Sequence, residues 1–199
     1  MQRQPESFDY MTSALEEAAE MLRRIEEHCM EDIIRIASLS ADALRRGGRL
    51  FFCGNGGSAA ESQHLATELV VRLSSDSTRG AFPALALTTD TSTLTACSND
   101  FGFDRVFARQ VEAHLRAGDV LFLLSTSGRS PNLIEAAKIS HERQGINIGF
   151  LGQDKTPLNA HLDDALHIPS KDSQRVQEGH LLCGHLLVHL IELQLMKSK

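Results

Sequence analysis

The chain has no tryptophan, a single tyrosine and no excess of positive charge: 20 Lys and Arg stand against 26 Asp and Glu, for a net charge of −6. Nucleic-acid binding leans on basic surface and stacking aromatics, so nucleic acid is not the expected substrate, although a protein partner that itself sits on DNA remains compatible. Also missing is an apolar run of about 18 residues, which argues against a transmembrane helix. The most apolar window, 180–196, is interrupted by His185, His189 and Glu192. The first ten residues, MQRQPESFDY, carry charges and no apolar stretch, unlike a signal peptide. Cysteine is sparse. Cys29, Cys53, Cys97 and Cys183 form no Cys-x-x-Cys pair, and each stands among apolar residues. That is the pattern of buried free thiols in a reducing compartment, and a cytoplasmic protein is expected. No repeat, low-complexity tract or linker divides the chain, and its 199 residues suffice for one core.

Residues 7–44 read as helix, with Leu15, Ala18, Ala19, Leu22, Ile25, Cys29, Ile33, Ile36, Ala37 and Leu44 at helical spacing. After Gly47 and Gly48 the pattern turns to short apolar runs, at 50–53, 84–87, 120–124, 146–151 and 165–168. Helical stretches such as 58–73 and 131–143 lie between them. Continuous apolar strands alternating with helices predict a parallel sheet covered on both faces. The expected architecture is a three-layer α/β sandwich, with an N-terminal helical extension (1–46) and an α/β domain (47–199) forming one structural unit. The last helix, from about Arg175 to Met196, is apolar around much of its circumference, and the N-terminal stripe has no obvious partner in the chain. Both features predict a homo-oligomer, with burial inside one subunit as the alternative for the last helix.

Open parallel sheets bind ligands beyond the carboxyl ends of their strands, which singles out two loops. The first is Gly54-Asn55-Gly56-Gly57-Ser58, where glycines let backbone approach a ligand and helix N–H groups face it. Ser58 and Glu61 have the spacing of a capping box, which would start the helix at Ser58. No Gly-Lys-[Ser/Thr] follows, so this is no P-loop. The relaxed dinucleotide fingerprint Gly54-x-Gly56-x-x-Ala59 is present, but the acidic partner it needs about 20 residues on is missing, Asp90 being too distant. The second loop, Ser125-Thr126-Ser127-Gly128-Arg129-Ser130-Pro131, follows the run VLFLL and gathers four hydroxyls at a helix start. Ser130 reads as the N-cap and Pro131 as the first helical residue. Hydroxyls could simply satisfy the turn, but four together suit a phosphate dianion.

With these loops go the segments CGNGGSAAESQHLATEL (53–69), SNDFGF (98–103), GDVLFLLSTSGRSPN (118–132) and RVQEGHLLCGHLL (175–187). Together they resemble the sugar isomerase (SIS) domain, and within it the phosphoheptose isomerase family. The resemblance implies a five-stranded parallel sheet of flavodoxin-like order and a homotetramer whose subunits share active sites. It implies a sugar-phosphate substrate contacted by Asn55, Gly56, Gly57, Ser58, Glu68, Asn99, Asp100, Ser125, Thr126, Ser127, Ser130 and Gln177. It also implies Glu68 as catalytic base, His185 as acid/base partner, and one zinc ion per subunit on His64, Glu68, Gln177 and His185. The implied activity is isomerisation of sedoheptulose 7-phosphate to D-glycero-D-manno-heptose 7-phosphate, the first step of heptose synthesis for lipopolysaccharide core or other surface glycans. Two positions depart from the family pattern: Arg129 where Asn is usual, and Gln174 where some members carry Asp. A non-catalytic branch binds a replication initiator, and the presence of both Glu68 and His185 separates this chain from it.

Physical chemistry constrains these roles. His64 and Glu68, four apart, share a helix face. A dry site would raise the Glu68 pKa and make it a better base, whereas direct zinc ligation would make it a poorer one. Gln177 and His185 are eight residues apart, about 12 Å of helix rise, so both reach one ion only if the helix begins after Gln177. His180 and His189 are nearer, with helix-surface or interface positions as their ordinary reading.

Overall fold

The computed structural model describes residues 5–75 and 78–196. Each short apolar run forms a strand: β1 (Leu50–Gly54), β2 (Ala84–Ala86), β3 (Val120–Ser125), β4 (Ile146–Leu151) and β5 (Asp164–His167). All pairings are parallel, in the order β2-β1-β3-β4-β5. Strand residues alternate between two cores. Leu50, Phe52, Phe122, Leu124, Ile148 and Phe150 face one layer, while Phe51, Cys53, Leu121, Leu123 and Leu151 face the other. Burial on both faces explains why the strands read as unbroken apolar runs.

The second face is covered by α4 (Thr91–Phe101), α5 (Val106–His114) and α6 (Pro131–Glu142). The first is covered by α1 (Pro5–His28), α2 (Met30–Arg45), α3 (Gly57–Val70) and α7 (Ser173–Met196). The N-terminal stretch expected as one helix is therefore two, meeting at Cys29. The hydrogen-bond ladder runs through the break, from Cys29 N to Ile25 O (2.9 Å) and from Ile33 N to Cys29 O (3.0 Å), so the apolar spacing continues across it. The Cys29 thiol is buried and donates to His167 O at 3.4 Å. The N-terminal stripe also proves partly filled within the chain. Met21, Ile25, Cys29, Ile33 and Ile36 join the core with Val176, Cys183 and Leu187 of α7. All four cysteines are free and buried.

By length and composition α7 could cross a membrane, with a mean hydropathy of 1.2 over its richest 18 residues. That average absorbs the polar interruptions visible in the sequence. Its apolarity serves packing, because Val176, Gly179, His180, Cys183, Leu187, Val188 and Ile191 are buried in the fold.

Candidate active site at the strand switch point

β1 and β3 are adjacent strands whose following helices lie on opposite faces, which opens a crevice at their carboxyl ends. Both loops singled out in the sequence border it. A reciprocal amide pair ties them together: Asn55 Nδ2 donates to Asn132 Oδ1 (3.0 Å) and Asn132 Nδ2 donates to Asn55 Oδ1 (2.9 Å). Asn132 is buried on the first turn of α6. Much of the Asn55 amide is thus committed to holding the loops in register. Gly56 has φ +56°, a conformation that favours glycine, and it caps α3. Gln177 reaches over from α7 to Gly57, where an added Cβ would collide with its amide.

The capping box is not formed. α3 begins at Gly57, one residue before the expected start, which moves Ser58 and Glu61 past the positions a capping box requires. Ser58 is buried against Gly54 instead, and its carbonyl accepts from Ser62 Oγ at 2.8 Å.

In the second loop, Ser125 Oγ accepts from Gly128 N (2.9 Å) and Ser127 Oγ accepts from Arg129 N (3.4 Å). Those two hydroxyls do shape the turn. Ser130 occupies the N-cap position, with Pro131 following, but its side chain makes no capping bond. Ser127 is exposed, and Thr126 and Ser130 are half-buried, in the loop that leads into the start of α6. Arg129 is exposed beside them and adds positive charge near any bound anion.

The acid/base candidates converge on neighbouring helices. His64 and Glu68 lie on α3, with Nε2 and Oε1 3.5 Å apart. His185 on α7 brings its Nε2 to 2.7 Å from that of His64. Gly184 makes this approach possible: a Cβ there would fall 2.5 Å from Leu65 Cδ2, so the two helices touch one residue away from each imidazole. At that distance one ring donates and the other accepts. The Glu68 side chain is 16% exposed and the His64 ring 42%, so water reaches the pair from the His64 side.

Two imidazoles and a carboxylate are a donor set that suits zinc. The 2.7 Å between the nitrogens is nonetheless shorter than the roughly 3.3 Å kept by two ligands on a tetrahedral ion, so the rings would have to open slightly. Among the described residues no group of three or more His, Cys, Asp or Glu is gathered tightly enough to hold a metal. α7 begins at Ser173, so helix separates Gln177 from His185 throughout, and one chain does not bring Gln177 to the imidazole pair. His180 is neither a surface nor an interface residue, contrary to the sequence reading. It lies in the core, its Nε2 against Leu151 O at 3.2 Å, and burial lowers its pKa to about 4. His189 is exposed.

Asn99 and Asp100 are exposed on the last turn of α4, and Asn99 Nδ2 donates to Asp100 Oδ1 (2.8 Å), so their polar atoms pair with each other rather than with either loop. Gln174 is exposed in the first turn of α7. Asp90 has an ordinary task as N-cap of α4, accepting from Thr93 N at 2.8 Å.

Glu61, expected as a helix cap, is instead turned into the protein. It is buried, its Oε2 has no hydrogen-bond partner, and burial pushes its pKa up to about 7. A pKa raised on folding favours the folded state below the unfolded value near 4.5, and that advantage is lost as pH rises through 7. Glu61→Gln should therefore stabilise the protein at pH 8 by roughly 1–3 kcal/mol, with little effect at pH 4. Denaturant melts at both pH values check this; equal effects at both would show that Glu61 is charged in the fold.

The SIS domain family model matches residues 15–152. The phosphoheptose isomerase of Chlorobaculum parvum is 47% identical over 161 residues, 80% of this chain and 77% of its own. That of Paramagnetospirillum magneticum is 43% identical over 183 residues, 92% and 94% of the two chains. Among solved structures, phosphoheptose isomerase from Neisseria gonorrhoeae superposes with a TM-score of 0.86 at 40% identity, covering 92% of this chain and 97% of that one.

Proposed function

The chain belongs to the SIS domain family, and from that premise we propose that it interconverts sedoheptulose 7-phosphate and D-glycero-D-manno-heptose 7-phosphate. It is an isomerase, as its relatives named phosphoheptose isomerase are. Nothing in the fold or the relatives favours the replication-initiator reading. The observation that carries the proposal is the convergence of Glu68, His64 and His185 where α3 meets α7. Glu68 lies about 16 Å of helix rise beyond the glycine loop, so in this reading these groups meet a substrate held by the loops of another subunit.

Aldose–ketose exchange moves one proton between C1 and C2 and another between their oxygens. In our reading Glu68 takes the C1 proton of the ketose and returns it at C2, through an enediol. His185 passes a proton between O1 and O2, and its hydrogen bond to His64 supports that shuttling. Thr126, Ser127, Ser130 and the start of α6 receive the phosphate, while residues 55–58 and Gln177 position the sugar. Asn99 and Asp100 would complete the contacts from α4. His64, Glu68 and His185 have the chemistry zinc prefers and would hold it only once the imidazoles part, with Gln177 reaching it only if another subunit supplies that side chain. When bound, the ion would polarise substrate oxygens. The test is direct: incubate the purified protein with sedoheptulose 7-phosphate and follow the aldose by NMR. No aldose would refute the assignment.

Two further expectations follow from the same reading. Ser127→Ala should weaken sugar-phosphate binding by roughly 1.5–3 kcal/mol, the worth of a hydrogen bond to a charged group. Calorimetry with Ser127→Ala and Ser130→Ala checks it, and unchanged affinity in both would return the loop to a purely structural role.

The second is a homotetramer with shared active sites. Leu15 on α1 is 72% exposed, and Leu181, Leu182, Leu186 and Leu193 on α7 present a further apolar face. Light scattering at micromolar concentration should give a multiple of the 21.9 kDa chain mass, and a monomer would contradict it. Buried free thiols support a cytoplasmic location, where the product would feed heptose synthesis for lipopolysaccharide or other surface glycans.

A further inference from the structure

The helix carrying Glu68 ends in a buried ion pair that no catalytic role above uses. α3 finishes at Val70, which leaves its last carbonyls without helical partners. Arg79, in the segment returning to β2, supplies them. Its guanidinium donates from Nη2 to Glu68 O (2.8 Å) and from Nη1 to Leu69 O (2.8 Å) and Gly80 O (2.9 Å). Its Nε donates to Glu192 Oε1 at 2.6 Å, and the whole group lies 4.1 Å over the Phe82 ring. Both side chains of the pair are buried, 4% and 7% exposed.

Glu192 stands on α7 two turns beyond His185, so this single guanidinium grips the backbone of one proposed catalytic residue and the helix of the other. The helices already touch at Gly184 and Leu65, beside the imidazoles. Gln177 on Gly57, Leu65 on Gly184 and His64 on His185 join the two helices up to the imidazoles; the Arg79–Glu192 pair adds a polar tie beyond Glu68, at the end of α3 that those three leave unbound. A bidentate fork onto carbonyls and a carboxylate is a task for arginine, since lysine offers a point charge without the planar spacing.

We propose that Arg79 and Glu192 are positioning residues that set the α3–α7 register, and with it the aim of Glu68 towards the substrate carbons relative to His185. The inference rests on the assignment of Glu68 and His185 as the acid/base pair. Misplacement of reacting groups by about 1 Å costs up to 10²-fold in rate, and it falls on the chemical step rather than on binding. The phosphate loop lies on β3 and α6 and does not touch this pair.

The experiment measures kcat and KM for sedoheptulose 7-phosphate in the unmodified protein, Arg79→Lys, Glu192→Gln and a control, Arg49→Lys. The control weakens the Arg49–Asp119 pair, which lies against His114 O of α5 and the Phe51 ring, on the sheet face opposite α3 and α7. All are assayed well below their melting temperatures, with the folded fraction measured. Arg79→Lys and Glu192→Gln should lower kcat by about tenfold or more with KM within about twofold, while the control loses stability and keeps its kcat. Unchanged kcat in the folded strut variants overturns the inference, as does a loss that merely tracks the folded fraction or appears equally in the control. An inactive unmodified protein overturns the functional assignment instead, and the inference with it.

Discussion

Glu68→Gln and His185→Asn should each lower turnover by about 10²-fold or more, the scale on which general acid–base groups act. The glutamine keeps the shape and hydrogen-bonding reach of Glu68 but cannot take a proton from carbon. Asparagine at 185 removes the shuttle between oxygens and breaks the 2.7 Å contact with His64. Substrate affinity should change far less, because loops 55–58 and 125–131 supply most of the contacts in this account. Steady-state kinetics with a parallel binding measurement separates the two effects. A rise in KM with kcat preserved would move both residues from chemistry to binding.

Gly54→Ala should cause the largest damage to the scaffold of the site. A Cβ at this last residue of β1 would fall 2.7 Å from Ser58 O and 2.8 Å from Ser58 C and Cβ. No rotamer relieves a clash with backbone, so the first turn of α3 must move off the strand. Overpacking of this kind costs roughly 1–3 kcal/mol. Here the displaced turn is also the one that follows the glycine loop and leads to His64 and Glu68. Activity should therefore fall beyond what the lost stability explains, measured on protein that remains folded. Gly57→Ala is the useful contrast, since its Cβ would meet the flexible end of Gln177 rather than backbone. Equal and small effects from both would show that the approach of Ser58 to Gly54 is dispensable.

The parts of this site that depend on local pattern were legible in the sequence. The strands announced themselves as apolar runs because both sheet faces are covered, and their ends fall within a residue or two of expectation. The serine loop was legible for the same reason: a Ser-Pro start to a helix is a local signal, and α6 does begin at Pro131. The capping box misled because one glycine with φ +56° starts α3 a residue early. Ser58 then packs on Gly54, and Glu61 turns inward without a partner. Nothing in a Ser-x-x-Glu spacing separates those outcomes. Asn132 and Arg79 were illegible for a different reason: their partners, Asn55 and Glu192, lie 77 and 113 residues away along the chain. The same holds for the break at Cys29, where apolar spacing and hydrogen-bond ladder both run through. His180 looked like any other histidine on a helix, and only packing against Leu151 O placed it in the core.

The most direct test of the proton chemistry is exchange rather than turnover. Sedoheptulose 7-phosphate is incubated in D₂O with each protein, and deuterium at C1 and C2 is followed by NMR. The unmodified protein should exchange, because an enediol formed at Glu68 gives its proton up to solvent on some turnovers. His185→Asn should retain exchange while forming little aldose, since Glu68 still abstracts the carbon-bound proton. Glu68→Gln should incorporate no deuterium above the enzyme-free control. Exchange by Glu68→Gln at the unmodified rate would contradict the account and place the base elsewhere.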